Sequence, residues 1–146
     1  MAQSFSKIYL HIVFATKDRT GLITPALEAK LFPYIYGIAR NIGAELRTIN
    51  GTTDHIHMLV DLSPAVSVSE FAKKIKANSS RWVNRELNTP FAWQLGYSVF
   101  SVSQSKLPDV ESYIARQKEH HAKVSMQDEL RTLLDRHRIE YEPGEI

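Results

Sequence analysis

Two pairs of side chains in this sequence have the types and the spacing to do chemistry. The first lies in Asp54-His55-Ile56-His57-Met58-Leu59-Val60. On a strand, residues two apart point to the same face. His55 and His57 therefore project side by side, while Ile56, Met58 and Val60 turn into the core. Two imidazoles this close resist double protonation, but as neutral rings they can share a divalent cation. Chemistry would need at least one more protein ligand and an open position. Without those, the pair is two surface histidines on the outer face of a sheet.

The second pair is Tyr113 and Gln117, in Ser112-Tyr113-Ile114-Ala115-Arg116-Gln117. At i and i+4 they sit one above the other on a helix face. A tyrosine hydroxyl can attack a phosphodiester and keep the bond energy in a covalent link. It needs a Lewis acid on the scissile phosphate, and Gln117 could give that ion an oxygen ligand one turn away. The plainer alternative is a packed tyrosine ring with Gln117 in solvent. Two other histidine chemistries fail at the sequence. Histidine-triad nucleotide hydrolases need a third His two residues on, where Leu59 stands. Binuclear metallo-hydrolases need Asp-His soon after the pair, where Met58-Leu59 stands.

These residues must be positioned by a fold. Residues 6–16 alternate, with Ile8, Leu10, Ile12 and Phe14 on one face and Tyr9, His11 and Val13 on the other, which predicts a strand. Thr24-Pro25 reads as an N-cap with proline at the first helical position. Leu27, Leu31, Ile35, Ile38 and Ile42 then follow at helical spacing up to Gly43. Pro33 inside this segment should kink the helix or remove a backbone bond. Residues 45–50 and 55–62 predict a hairpin around Gly51. Ser67 and Glu70 have capping-box spacing before the stripe Phe71, Ile75, Trp82, a helix expected to reach about Leu87. Residues 96–102 predict a fourth strand, 108–121 a third helix, and Ser125 the cap of a fourth. The order βαββαβ predicts an α+β, ferredoxin-like antiparallel sheet with helices on one face, followed by additional C-terminal helices.

The chain has 146 residues, enough for one domain with a real core. It has no cysteine, which excludes disulfides, thiolate zinc sites and cysteine nucleophiles. The net charge of +2 is a poor sign of a nucleic-acid protein, but it averages two unlike parts. Residues 1–106 carry 12 basic against 7 acidic residues, and residues 107–146 carry 6 against 9. Such blocks reflect either partner surfaces or uneven scatter. No basic-then-apolar segment opens the chain, and the charge-free residues 87–105 are too polar to span a bilayer. The expectation is a cytoplasmic protein with no membrane contact.

Along its length the sequence resembles the single-tyrosine HUH transposases of the IS200/IS605 family. The resemblance rests on Tyr9-Leu10-His11-Ile12-Val13-Phe14-Ala15-Thr16-Lys17-Asp18-Arg19, Thr53-Asp54-His55-Ile56-His57 and Ser79-Ser80-Arg81-Trp82. It continues through Trp93-Gln94-x-Gly96-Tyr97, Phe100-Ser101-Val102-Ser103 and Tyr113-Ile114-x-x-Gln117. It implies an HUH endonuclease domain over 1–146. The sheet core with the His pair would occupy 1–106, the tyrosine helix 107–123, and a C-terminal helix and tail 124–146. Tyr113 would be the nucleophile, leaving a 5′-phosphotyrosine and a free 3′-hydroxyl. His55, His57 and Gln117 would hold one Mg²⁺ or Mn²⁺. The substrate would be single-stranded DNA with hairpins, and the protein a homodimer. Asp54, beside the His pair, would either orient a histidine or cap the turn.

A basic stripe fits that picture. Lys74, Arg81 and Arg85 share a helix face with Asn78, and Lys73 and Lys76 stand nearby. Such a face neutralises phosphates; it is also what an ordinary solvated helix face looks like. Lys17 and Arg19, after the first strand, are weaker candidates for DNA contact. Trp82 and Trp93 could stack bases, although core packing is the expectation for Trp82. His11, His120, His121 and His137 have no assignable partner. Two other functions remain open: a domesticated relative that cuts palindromes, or a ferredoxin-like nucleic-acid-binding module without catalysis.

Overall fold

The structure is a computed structural model describing residues 3–146, so the start of the polar opening segment lies outside the described residues. Four strands, β1 (Tyr9–Ala15), β2 (Ala44–Gly51), β3 (His55–Leu62) and β4 (Ser98–Val102), form one antiparallel sheet in the order β2-β3-β1-β4. Helices α1 (Pro25–Ile42) and α2 (Val68–Arg85) are the two crossovers. Then come α3 (Leu107–Ala115), α4 (Gln117–His121) and α5 (Met126–Arg136). This is the ferredoxin-like arrangement with C-terminal helices. No described helix is long and apolar enough to cross a membrane.

The alternation in β1 and β3 builds two cores. Leu10, Ile12 and Phe14 join Ile56, Met58 and Val60 on one face, packed under α1 and α2 through Leu31, Ile35, Phe71 and Ile75. The other face is not open, as helices on one side alone would leave it. Leu107 and Ile114 of α3 close on Tyr9 and Leu59, while Met126, Leu133 and Leu134 of α5 close on Val13 and Phe100. Histidines on that face are therefore buried between sheet and helices.

Local signals are met where they were read. Thr24 Oγ1 accepts from Leu27 N at 3.1 Å, and Ser125 Oγ from Asp128 N at 3.1 Å, each satisfying an orphan donor. Gly43 ends α1 in the left-handed conformation, φ 92°. Ser67 caps α2, but Glu70 turns away to Lys74 at 2.9 Å, so the box is one-sided. Pro33 does not interrupt α1.

Three details position the site. A Cβ on Gly51 would lie 2.1 Å from the His55 carbonyl oxygen; only glycine lets the β2–β3 turn close directly onto His55. The β2 register shifts between Leu46 and Thr48, and Arg47, at that bulge, pairs with Glu111 of α3 at 3.0 Å. The expected helix over 108–121 is two helices, broken at Arg116 (φ −100°, ψ 18°). Asn50 Nδ2 donates to the carbonyls of Ile114 (3.0 Å) and Ala115 (3.1 Å), satisfying acceptors that the break leaves free. Lys118 Nζ, just past the break, donates to Glu28 and Asn50 at 2.7 Å each.

Candidate active site

The site lies under α3–α5, on the face of β1 and β3 that carries the histidines. His55 and His57 are fully buried (0% exposed), which rules out the reading of two surface histidines. Each ring is held from behind. The Nδ1 of His55 lies 2.7 Å from Asp54 Oδ1 and 3.0 Å from Thr52 Oγ1. Because Asp54 can only accept, it fixes a proton on Nδ1 and leaves Nε2 as the nitrogen that faces inward. The Nδ1 of His57 shares a 2.7 Å hydrogen bond with Nε2 of His11, whose ring is buried on β1. Burial, reinforced by His57, pulls His11 down to about 3, so it is neutral.

The inward Nε2 atoms meet a carboxylate that the sequence reading did not include. Glu129 of α5 is 3% exposed. Its Oε1 lies 2.9 Å from His57 Nε2, 2.9 Å from His121 Nε2 and 3.5 Å from His55 Nε2. Its Oε2 accepts from the Tyr113 hydroxyl and, at 3.0 Å, from Gln117 Nε2. The Gln117 Oε1 faces His55 Nε2 at 3.3 Å. The donor atoms of His55, His57, His121 and Glu129 all lie within 4.8 Å of one another and could hold a metal ion.

Charge follows geometry. Burial would raise the Glu129 carboxyl, but hydrogen bonds from His121, His55 and His57 outweigh it and hold the group well below the usual carboxylate range. Burial lowers His55, yet Asp54 and Glu129 overcome this and push it up to about 9. Burial lowers His57 further than Glu129 can restore. The Tyr113 phenol is pushed above the ordinary tyrosine range, first by burial and then by the Glu129 carboxylate. Asp54 is held below its ordinary range by the hydrogen bond from His55.

Tyr113, Gln117, His55 and His57 are thus brought together within one chain, and Asp54 stands behind His55. The helix break does not separate Tyr113 from Gln117, because both donate to the same carboxylate oxygen. Sequence reasoning missed Glu129, His121 and the part played by His11. A signal existed for each. Glu129 falls within the apolar stripe Met126, Leu133, Leu134, where a lone acid needs a buried partner. His121 continues the four-residue step from Tyr113 through Gln117. His11 sits on the same strand face as Val13, whose cross-strand partner is His57.

The basic candidates are placed elsewhere. Helix α2 packs on the opposite face of the sheet, so its stripe does not line the histidine cluster. Lys73, Arg81 and Arg85 are exposed there, and Lys74 pairs with Glu70. Lys76 is not a free cation: its Nζ donates to the carbonyls of Gln94 and Gly96 at 2.6 Å each and lies over the Phe14 ring. Trp93 is buried with its Nε1 on Ser79 Oγ at 2.9 Å, so it is not available to a base. Trp82 stacks on Tyr34 at 4.2 Å. Lys17 and Arg19 follow β1 at the end where Ala15 pairs with His55.

Known proteins resemble this chain in sequence and in fold. The ISDra2 transposase TnpA of Deinococcus radiodurans is 24% identical over 114 residues, which cover 73% of this chain and 81% of that relative. A crystal structure described as a transposase of Deinococcus radiodurans R1 matches with a TM-score of 0.61 at 24% identity, covering 80% of this chain and 98% of that one. The REP-associated tyrosine transposase bound to a REP hairpin matches at 0.64 with 14% identity, over 85% and 74% of the two chains. At these identities the two structures speak for the fold. The model of the family described as "Transposase IS200 like" matches residues 4–117, and the chain belongs to that family of transposases.

Proposed function

We propose that this chain cleaves and rejoins single-stranded DNA bearing hairpins, with Tyr113 as the nucleophile. His55, His57 and Gln117 would hold a Mg²⁺ or Mn²⁺ ion. One observation carries the reading: the Tyr113 hydroxyl and the inward nitrogens of His55 and His57 converge on the same buried carboxylate. The donor set fits a divalent cation, because imidazole nitrogens and an amide oxygen face one point, and an ion there would replace the proton on His55. When bound, such an ion would polarise the scissile phosphate and offset its developing charge.

The chain's own groups do the rest. The Tyr113 oxygen forms the new O–P bond, the P–O3′ bond breaks, and the departing 3′ oxygen takes a proton from solvent. The phenol proton has an acceptor already in contact, Glu129 Oε2. Asp54 and His11 keep the two imidazoles oriented. A cleft between β4, α3 and α5 leads to Tyr113 and is lined by Lys106, Arg116 and Arg136, a lining suited to phosphates. A homodimer belongs to the same reading; β4 ends the sheet with its outer edge unpaired among the described residues.

The test is a denaturing gel of labelled single-stranded hairpin DNA with purified protein and Mn²⁺ or Mg²⁺. A covalent protein–DNA band is expected, lost with EDTA and lost in Tyr113→Phe. An adduct that survives Tyr113→Phe removes Tyr113 from the role. A second reading, a palindrome-cutting relative that does not move its own gene, is favoured by the likeness to the structure bound to a REP hairpin. Isolated palindromes would then be cut without any rejoined circular product.

A further inference from the structure

The stretch that matches the family ends at Gln117, yet two of the side chains gathered at the site lie beyond it. We propose that His121 and Glu129 join His55 and His57 as direct metal ligands, forming a cage of three imidazoles and one carboxylate that takes Mn²⁺ in preference to Mg²⁺. This rests on the metal-dependent reading above and adds to it the ligand set and the ion.

The geometry is specific. Three Nε2 atoms surround one oxygen, Glu129 Oε1, at 2.9, 2.9 and 3.5 Å. Ligand atoms about 2.1 Å from one ion lie about 3.0–3.4 Å apart along the edges of an octahedron or tetrahedron. The three separations from Glu129 Oε1 fall in or close to that band, and all four donor atoms lie within 4.8 Å of one another. His55 cannot donate inward from a neutral ring, because Asp54 holds its proton at Nδ1. Its Nε2 faces Glu129 Oε1 and Gln117 Oε1, a setting that favours positive charge at that point, whether carried by a proton on Nε2 or by an ion that replaces it.

The donor types decide the ion. Mg²⁺ prefers oxygen ligands and keeps much of its water, whereas imidazole suits the first-row transition metals. Three nitrogens and one carboxylate oxygen leave room for a phosphate oxygen, and Mn²⁺ accepts the mixture. Glu129 would then stand between ion and nucleophile, with Oε1 toward the histidines and Oε2 holding the Tyr113 hydroxyl.

Mn²⁺ binding to the metal-free full chain, followed by calorimetry and by electron spin echo spectroscopy, tests the cage. One site per chain is expected, with hyperfine couplings from three imidazole nitrogens in the unaltered protein and two in His121→Ala. Glu129→Gln, His121→Ala and His55→Ala should each weaken binding by more than about tenfold. A hundredfold excess of Mg²⁺ should not displace the Mn²⁺. Two coupled nitrogens in the unaltered protein, or Glu129→Gln binding as tightly as wild type, overturns the cage. If binding survives those changes but is lost in His55→Ala, the cage fails and the three-residue metal site stands. If His55→Ala also binds normally, the metal site itself is wrong. The nitrogen count on unaltered protein decides the matter even if a variant fails to fold.

Discussion

Tyr113 donates its hydroxyl hydrogen bond to Oε2 of Glu129, a residue 16 positions further along and on another helix. Burial and that negative charge both favour the neutral phenol, so Tyr113 should titrate well above the ordinary tyrosine value of about 10. The chain has six tyrosines. A difference titration of tyrosinate absorbance against Tyr113→Phe, in EDTA, isolates this one. Glu129→Gln should move it down toward the ordinary value. An unchanged titration in Glu129→Gln would mean that burial alone holds the proton.

Asp54 fixes which nitrogen of His55 faces inward. Asp54→Asn keeps a side chain of the same shape but permits the other tautomer. Metal affinity and cleavage should both fall by about 10–100-fold, and the metal-free protein should also lose some stability at neutral pH, because the carboxylate paired with buried His55 is gone. Wild-type Mn²⁺ affinity in Asp54→Asn would leave Asp54 as a turn cap only.

The metal-free protein should be most stable near pH 6.5. His11 titrates at about 3 when folded and near 6.5 when unfolded, so the unfolded chain binds more protons below 6.5 and stability falls with falling pH. The lowered Asp54 and Glu129 carboxyls add to that acid limb as they protonate. His55 behaves oppositely. Raised to about 9, its contribution is full below 6.5 and is lost as pH rises through 9. Urea midpoints in EDTA from pH 4 to 10 should trace a dome. A midpoint that climbs steadily from 6.5 to 9 would contradict the His55 assignment.

The exposed cations of α2 face away from Tyr113 and should affect binding rather than chemistry. Arg81→Ala with Arg85→Ala should weaken hairpin binding and reduce the salt slope by about 2, with the cleavage rate of bound DNA unchanged. Lys76→Ala should lower thermal stability instead, since Lys76 ties α2 to the carbonyls of Gln94 and Gly96. Filter binding across salt concentrations, beside single-turnover cleavage, separates the two effects.

The sheet was legible because strand alternation is local: Leu10, Ile12 and Phe14 reveal their face within a single segment. The caps at Thr24, Ser67 and Ser125 were legible for the same reason. His55, His57, Tyr113 and Gln117 stood out because each pair is close in sequence. Glu129 and His11 did not, since their partners lie 72 and 46 residues away from them at His57 and only the fold brings them near. The break at Arg116 was also hidden. Its cause is tertiary, in the Asn50 amide that draws off the last carbonyls of α3, and the helical pattern of Ile114 and its neighbours continues regardless.

The order in which the chain is made bears on the placement of Glu129 on α5. A ribosome delivers the sheet first, then the tyrosine, and only afterwards the carboxylate that holds the tyrosine's proton and faces the imidazoles. Folding that begins at the N-terminus therefore yields a nascent chain in which Tyr113 and the histidines are present before the carboxylate that gathers them.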